Sequence, residues 1–320
     1  MSNDRRRFLK YLSGIAGLAL LPTTFSSCST KVQGKSITED NDQKKLFFDI
    51  SLAQWSLHKA FLSKELDPID FPVIAKKQFG ISTVEYVNQF FMDKANNTSY
   101  LNELLKRCKD NDVENHLIMC DGEGNLGEPN DKKRLLAVEN HYKWVDAAKY
   151  LGCATIRVNA YGEGTREDVH HAAVDGLSRL SEYAKKEKIN VIVENHGSYS
   201  SNGIWLSSVM NEINKRNVGT LPDFNNFCIE HESGKCINEY DRYKGTLEMM
   251  PFAKGVSAKT IDFDESGNCV ETDYYKMLKI VKDAGFKGYL GIEYEGEKLG
   301  EADGILKTKD LLIKVGTAIS

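Results

Sequence analysis

Eight short apolar runs, rich in β-branched residues, recur along this 320-residue chain and constrain its fold more than any other feature. They cover residues 47–55, 81–87, 114–120, 153–158, 190–194, 218–223, 253–258 and 288–294. Their starts are spaced by roughly 30 to 40 residues, the length of one strand–loop–helix unit. Each run is nearly continuous in apolar residues, which suits parallel strands covered on both faces. Segments of helical period lie between them. Residues 100–109 place Leu101, Leu104, Leu105 and Cys108 on one face. Residues 132–151, 166–186, 274–284 and 302–315 behave similarly, and Gly80, Gly152 and Gly285 stand where a left-handed helix cap is wanted. Eight such units predict a single-domain (β/α)8 TIM barrel over residues 46–320. An open doubly wound sheet is the alternative, but no glycine-rich dinucleotide fingerprint follows the first run. The long polar stretch 225–245 is expected to form an excursion over the top of the barrel.

Composition narrows the class. Hydrophobic residues make up 41% and charged residues 28%, which excludes a disordered tail protein and a polytopic membrane protein. The chain has 42 Lys and Arg against 46 Asp and Glu, so it lacks the basic surplus of a nucleic-acid binder, and no nucleic-acid partner is expected. The N-terminus reads as an address. Asp4-Arg5-Arg6-Arg7-Phe8-Leu9-Lys10 resembles the twin-arginine export motif. The weakly apolar run from Tyr11 to Pro22 is too short to span a bilayer. Phe25-Ser26-Ser27-Cys28 then looks like a lipoprotein processing site with Cys28 as the lipidated residue. Residues 1–28 are therefore expected to be an export signal and 29–45 a flexible tether. The resemblance implies a periplasmic protein that meets the membrane only through its signal or lipid anchor. Such a compartment permits a disulfide, for example Cys228 with Cys236, although spacing alone does not establish one. Cys120 and Cys153 sit in apolar runs and are expected to be buried thiols.

Catalytic groups of such barrels lie at the C-terminal ends of strands. Glu194 follows Val191-Ile192-Val193, Glu293 follows Leu290-Gly291-Ile292, and Asp223 ends the sixth run. A carboxylate capping an apolar strand is costly to bury without a cation partner. Three of them at one barrel mouth repel, and one divalent metal resolves the conflict. Oxygen ligands suit Mn2+, Mg2+ or Zn2+. The alternative is that each acid pairs with a Lys or Arg.

Val-Ile-Val-Glu194-Asn-His-Gly, Leu-Pro-Asp223-Phe-Asn-Asn-Phe and Gly-Ile-Glu293-Tyr-Glu resemble the sugar phosphate isomerase/epimerase family of xylose-isomerase-like TIM barrels. The resemblance covers nearly all of residues 46–318. It implies one divalent metal held by a Glu, an Asp, a His and a Glu from strands five to eight, of which Glu194, Asp223 and Glu293 match three. The family's His on strand seven, followed two residues later by Lys, is replaced by Ser257 in Val256-Ser257-Ala258-Lys259. His196, two residues after Glu194, is a candidate nitrogen ligand or substrate contact. Lys259 is a candidate catalytic group, or a cation that replaces the metal altogether. Arg157 and Asn159 alternate onto one face of strand four as candidate substrate contacts, with Arg157 equally open to a structural ion pair. Glu85, His58 and Trp55 are further rim candidates for substrate binding.

The resemblance implies metal-assisted proton abstraction next to a carbonyl, with Glu194 and Glu293 as base and acid and Lys259 or His58 in reserve. Isomerisation or epimerisation of a carbohydrate follows from how the proton returns. Phosphorylated sugars are scarce in the periplasm, so the expected substrate is unphosphorylated. The same enolate also permits β-elimination from a 3-keto-glycoside, the first alternative. A non-catalytic sugar-binding lipoprotein is the second. The sequence leaves the oligomeric state open, a homo-oligomer included.

Overall fold

The computed structural model describes residues 45–320. The twin-arginine motif, Cys28 and all but the last residue of the expected tether lie outside the described residues. In chain order the elements are β1 (Asp49–Ala53), α1 (His58–Leu62), α2 (Phe71–Phe79), β2 (Thr83–Val87), α3 (Thr98–Asp110), β3 (Glu114–Met119), α4 (Asp131–Leu151), β4 (Thr155–Val158), α5 (Arg166–Lys186), β5 (Asn190–Glu194), α6 (Gly203–Ile213), β6 (Val218–Leu221), β7 (Cys228–Glu232), β8 (Lys235–Glu239), α7 (Arg242–Met249), β9 (Val256–Thr260), α8 (Tyr274–Asp283), β10 (Tyr289–Tyr294) and α9 (Glu301–Ile319).

Eight of the strands form one parallel sheet in the order β6-β5-β4-β3-β2-β1-β10-β9. Its two outer strands come together through the parallel bridges Thr220↔Ala253 and Asp223↔Ser257, so the sheet is a nearly closed (β/α)8 barrel. Most strands are shorter than the apolar runs for local reasons, while β5 matches its run and β9 is shifted from 253–258 to 256–260. Pro222 brings no N–H to the ladder, so β6 stops at Leu221. The first run turns into a short 3-10 helix at Gln54–Leu57.

Alternation along each strand sorts side chains between two cores. Ile156, Val158, Val191, Val193, Leu290 and Ile292 belong to the large apolar cluster, most of it supplied by the surrounding helices. Ala53, Val87, Leu117, Met119, Ile192 and Leu221 form a separate small cluster. They have the opposite strand parity, which is the parity of Arg157, Glu194, Lys259 and Glu293. The barrel lumen therefore mixes a thin apolar layer with buried charge. The helices start where their caps say they should. Asn97, Asn130, Thr165, Asn202, Asp241 and Asp273 each accept a hydrogen bond from a first-turn backbone N–H.

The polar excursion holds an antiparallel hairpin, β7–β8, joined by a Cys228–Cys236 disulfide. Cys120 and Cys153 are buried free thiols, as expected. Among the described residues no helix is long and apolar enough to cross a membrane.

Candidate active site

The strand ends deliver Glu194 from β5, Asp223 from just beyond β6 and Glu293 from β10 to one place. One carboxylate oxygen from each lies within 4.8 Å of the others, and all three residues are buried. Each sits on the inward parity of its strand, which is why the apolar residue before it does not carry it into the outer core.

Two buried cations reach this cluster. Arg157 Nη1 donates to Asp121 Oδ1 at 2.7 Å, and its Nε lies 2.9 Å from Glu194 Oε2. That second contact is ionic only, because neither Arg157 Nε nor Glu194 Oε2 has an aligned hydrogen-bond partner. Lys259 Nζ lies 2.9 Å from Glu293 Oε1, 3.0 Å from Glu295 Oε2 and 3.9 Å from Asp223 Oδ2. Five carboxylates thus share two cations. Asn226 spans the cluster, donating to Glu194 Oε1 and accepting from Lys259 Nζ, each at 3.1 Å. Ser257 Oγ donates to Asp223 Oδ2 at 2.6 Å, and the backbone N–H groups of Asn225 and Asn226 donate to Asp223 Oδ1.

The electrostatics follow from burial under a surplus of negative charge. Burial pushes Glu194 up to about 7 against the pull of Arg157, with Glu293 adding to the rise. Burial likewise pushes Glu293 up to about 7 against Lys259, and it raises Asp223. Burial also acts on Asp121, but Arg157 beside it outweighs that and holds the carboxyl at about 2. Burial works against the charge on Lys259, yet Asp223, Glu293 and Glu295 keep it firmly protonated.

Above the cluster opens a cavity of about 250 Å³. Trp55, Tyr161, His196 and the carboxylates Asp121, Glu123, Glu293 and Glu295 are among the groups on its wall, with Arg157 and Asn159 beside them. Its only wall cation, Arg157, is committed to Asp121 and Glu194. Asn159 Nδ2 donates to Asp121 Oδ1 at 2.6 Å, so strands β3 and β4 present one braced polar edge.

The candidates from sequence sort by this geometry. Trp55, Arg157, Asn159 and Glu293 reach the cavity wall. His196 reaches it too, but it is not gathered with the three acids: its Nδ1 and carbonyl both engage the Tyr161 hydroxyl, and the chain turns away at Gly197, whose φ is +96°. Alternation brings His196 to the wall, as it does Tyr161 and Glu295, but not to the three acids. Burial, then Arg157 and Lys259, lower His196 to about 4, so its imidazole is neutral. Lys259 is off the cavity wall, paired with Glu293 and Glu295. Glu85 lies off the wall inside the barrel, where Ser51 Oγ donates to it at 2.5 Å. Gly291 permits this, since a Cβ there would stand 2.6 Å from Glu85 Oε2. His58 is also off the wall. It stacks on Trp55, and its Nδ1 bonds the Trp55 carbonyl. Asp121, Tyr161, Asn226 and Glu295 were given no role from sequence. Asp121 follows the third run in step with Leu117 and Met119, Tyr161 is two residues after Asn159, and Glu295 is two after Glu293, so inward alternation carried one step further would have found these three, though not Asn226.

The model of the xylose isomerase-like TIM barrel family matches residues 74–315. The chain belongs to that family. Solved xylose isomerase-like barrels share its fold at low identity. L-ribulose 3-epimerase is 12% identical with a TM-score of 0.65, over 85% of this chain and 95% of that one. The IOLI protein with a binding zinc atom is 14% identical at 0.64, over 85% and 99%. The apo 3-keto-D-glucoside 4-epimerase YcjR from E. coli is 13% identical at 0.59, over 84% and 100%. No curated protein matches the chain by sequence.

The family's divalent ion fits the residues this barrel member presents. Three buried carboxylates converge, five share only two cations, and Glu194 Oε2 is buried without a hydrogen bond. The three gathered groups are all carboxylates, and the Ser257 hydroxyl beside Asp223 adds a further oxygen.

Proposed function

We propose that this protein is a divalent-ion-dependent carbohydrate isomerase or epimerase acting next to a carbonyl of an unphosphorylated sugar. The convergence of Glu194, Asp223 and Glu293, with Glu293 on the cavity wall, carries the reading. An ion held there supplies electrophilic stabilisation to the oxygen beside the carbon that loses its proton. An oxygen-only donor set favours Mg2+ or Mn2+ over Zn2+.

The chain's own groups divide the remaining work. Glu293 is the cluster's carboxylate on the cavity wall and is placed to take the proton on a carboxylate oxygen. Glu194, buried beside Arg157, is the second carboxylate available to the proton transfer. Asp121, braced by Arg157 and Asn159, accepts hydrogen bonds from sugar hydroxyls. The wall offers an anion four carboxylates, Asp121, Glu123, Glu293 and Glu295, and no uncommitted cation, so a phosphorylated sugar finds no counter-charge.

Purified protein is expected to retain a divalent ion that Glu194→Gln and Asp223→Asn lose, and to exchange solvent deuterium into a keto-sugar until chelator is added. Retention of the ion by both variants would refute the site. The shared fold of a 3-keto-D-glucoside epimerase keeps the elimination reading alongside. Release of an aglycone from 3-keto-glycosides, without isomerisation of free sugars, selects it.

Export as a lipoprotein is part of the proposal. The exposed Cys228–Cys236 disulfide suits an oxidising compartment. Membrane fractionation of wild type against Cys28→Ala is expected to release the variant from the membrane; equal partitioning removes the anchor.

A further inference from the structure

Lys259 stands where a bound ion needs its carboxylates. Its ammonium bridges Glu293 at 2.9 Å and approaches Asp223 at 3.9 Å, and these are two of the three acids that converge. A divalent ion shared by the same two carboxylates would meet a like charge at contact range, where repulsion in a buried site is strong. The ammonium and the ion therefore do not share this seat.

A second seat is already built. Glu295 lies outside the three-acid cluster, and its Oε2 is 3.0 Å from Lys259 Nζ. The Trp55 indole N–H donates to Oε1 of the same carboxylate and fixes its orientation. Lys259 needs only to release Glu293 and keep Glu295, a small turn of a flexible four-carbon stem. Asn226 ties the two states together, because one amide touches both Glu194 and Lys259.

We propose that Lys259 is an internal competitor for the divalent ion and that Glu295 is the seat to which its ammonium withdraws when the ion binds. In the ion-free barrel Lys259 neutralises the cluster. In the loaded barrel Glu295 holds the displaced charge, so a residue that is no ligand sets the affinity. The proposal rests on the ion site described under the proposed function.

Mn2+ binding to the full chain, followed by the loss of the free-ion electron paramagnetic resonance signal, tests it without reference to activity. Lys259→Met is expected to bind Mn2+ at least about tenfold more tightly than wild type, since the competing charge is gone. Glu295→Gln is expected to bind it about tenfold more weakly. In the Lys259→Met/Glu295→Gln double variant that loss is expected to vanish, because there is no ammonium left to seat. Unchanged or weaker binding by Lys259→Met overturns the competition. Equal weakening by Glu295→Gln in both backgrounds overturns the seat, because it makes Glu295 a ligand in its own right. Should Lys259→Met fail to fold, Glu295→Gln decides alone, and unchanged affinity there overturns the proposal. If no folded variant and no wild-type protein binds Mn2+, the ion site itself is wrong and the competition falls with it.

Discussion

Ile156 and Arg157 are neighbours on β4 and equally hidden from solvent, yet they live under opposite rules. Ile156 faces the helices and joins the large apolar cluster, where its environment asks only for shape and size. Arg157 faces the lumen, where it contacts Asp121 and Glu194 and has no apolar substitute. The same contrast repeats at Val193 and Glu194, at Ala258 and Lys259, and at Ile292 and Glu293. A barrel of this kind keeps its apolar packing outside the strands and its paired charge and chemistry inside them. The charge it buries inside is tolerable only because every member has a partner or a braced hydrogen bond.

That division makes its strongest prediction at Arg157. Replacing it with Met leaves Asp121 and Glu194 buried without their cation, and chemical denaturation is expected to show a loss of about 3 to 5 kcal/mol. A loss within that of an ordinary surface substitution would mean the lumen is not held by charge pairing.

The lumen also predicts a pH dependence that the outer core lacks. Burial raises Glu85 from its ordinary 4.5 to about 7, so the folded protein holds a proton that the unfolded chain releases between those values. Stability of ion-free protein is then greatest below about 4.5 and falls as pH rises toward 7, by about 3 kcal/mol for one such acid. Glu194 and Glu293 act in the same direction. Asp121, held at about 2, acts in the opposite one and withdraws its support only in strong acid. Denaturation of chelator-treated wild type and Glu85→Gln across this range reads the share due to Glu85. Parallel curves for the two proteins would remove Glu85 from the account.

The smallest effect belongs to the outer core. Ile156→Val is expected to cost about 1 kcal/mol, independent of pH in the same window and without change in ion content. A pH-dependent loss there would erase the distinction between the two cores.

How far the sequence foretells this molecule follows from the same contrast. Apolar runs at a regular spacing report the outer core directly, so the eight strands are legible within three residues at either end and the long helices at 132–151 and 166–186 within one. Parity within a run reports the lumen, which is how Glu194 and Glu293 declare themselves. Parity does not say which inward groups meet. His196 continues the count, but Gly197 has already turned the chain, and the imidazole goes to Tyr161 instead. Lys259 shows a different limit. Its inward position was legible, but whether it replaces an ion or shares a site with one depends on distances to Glu293, Asp223 and Glu295 that no spacing encodes. The Cys228–Cys236 pairing had the same status until the hairpin brought the two strands side by side.

The barrel's last join has a consequence of its own. Between β6 and β9 there is no full ladder, only the bridges at Thr220↔Ala253 and Asp223↔Ser257 with a few backbone hydrogen bonds from Lys254, Ser257 and Phe224. The weakest stave of the cask is therefore the one that carries Asp223, and the Ser257 hydroxyl laces it shut from within. Any breathing of the cylinder that parts those two strands also pulls the acid cluster apart, so the mechanical integrity of the wall and the readiness of the site are the same event.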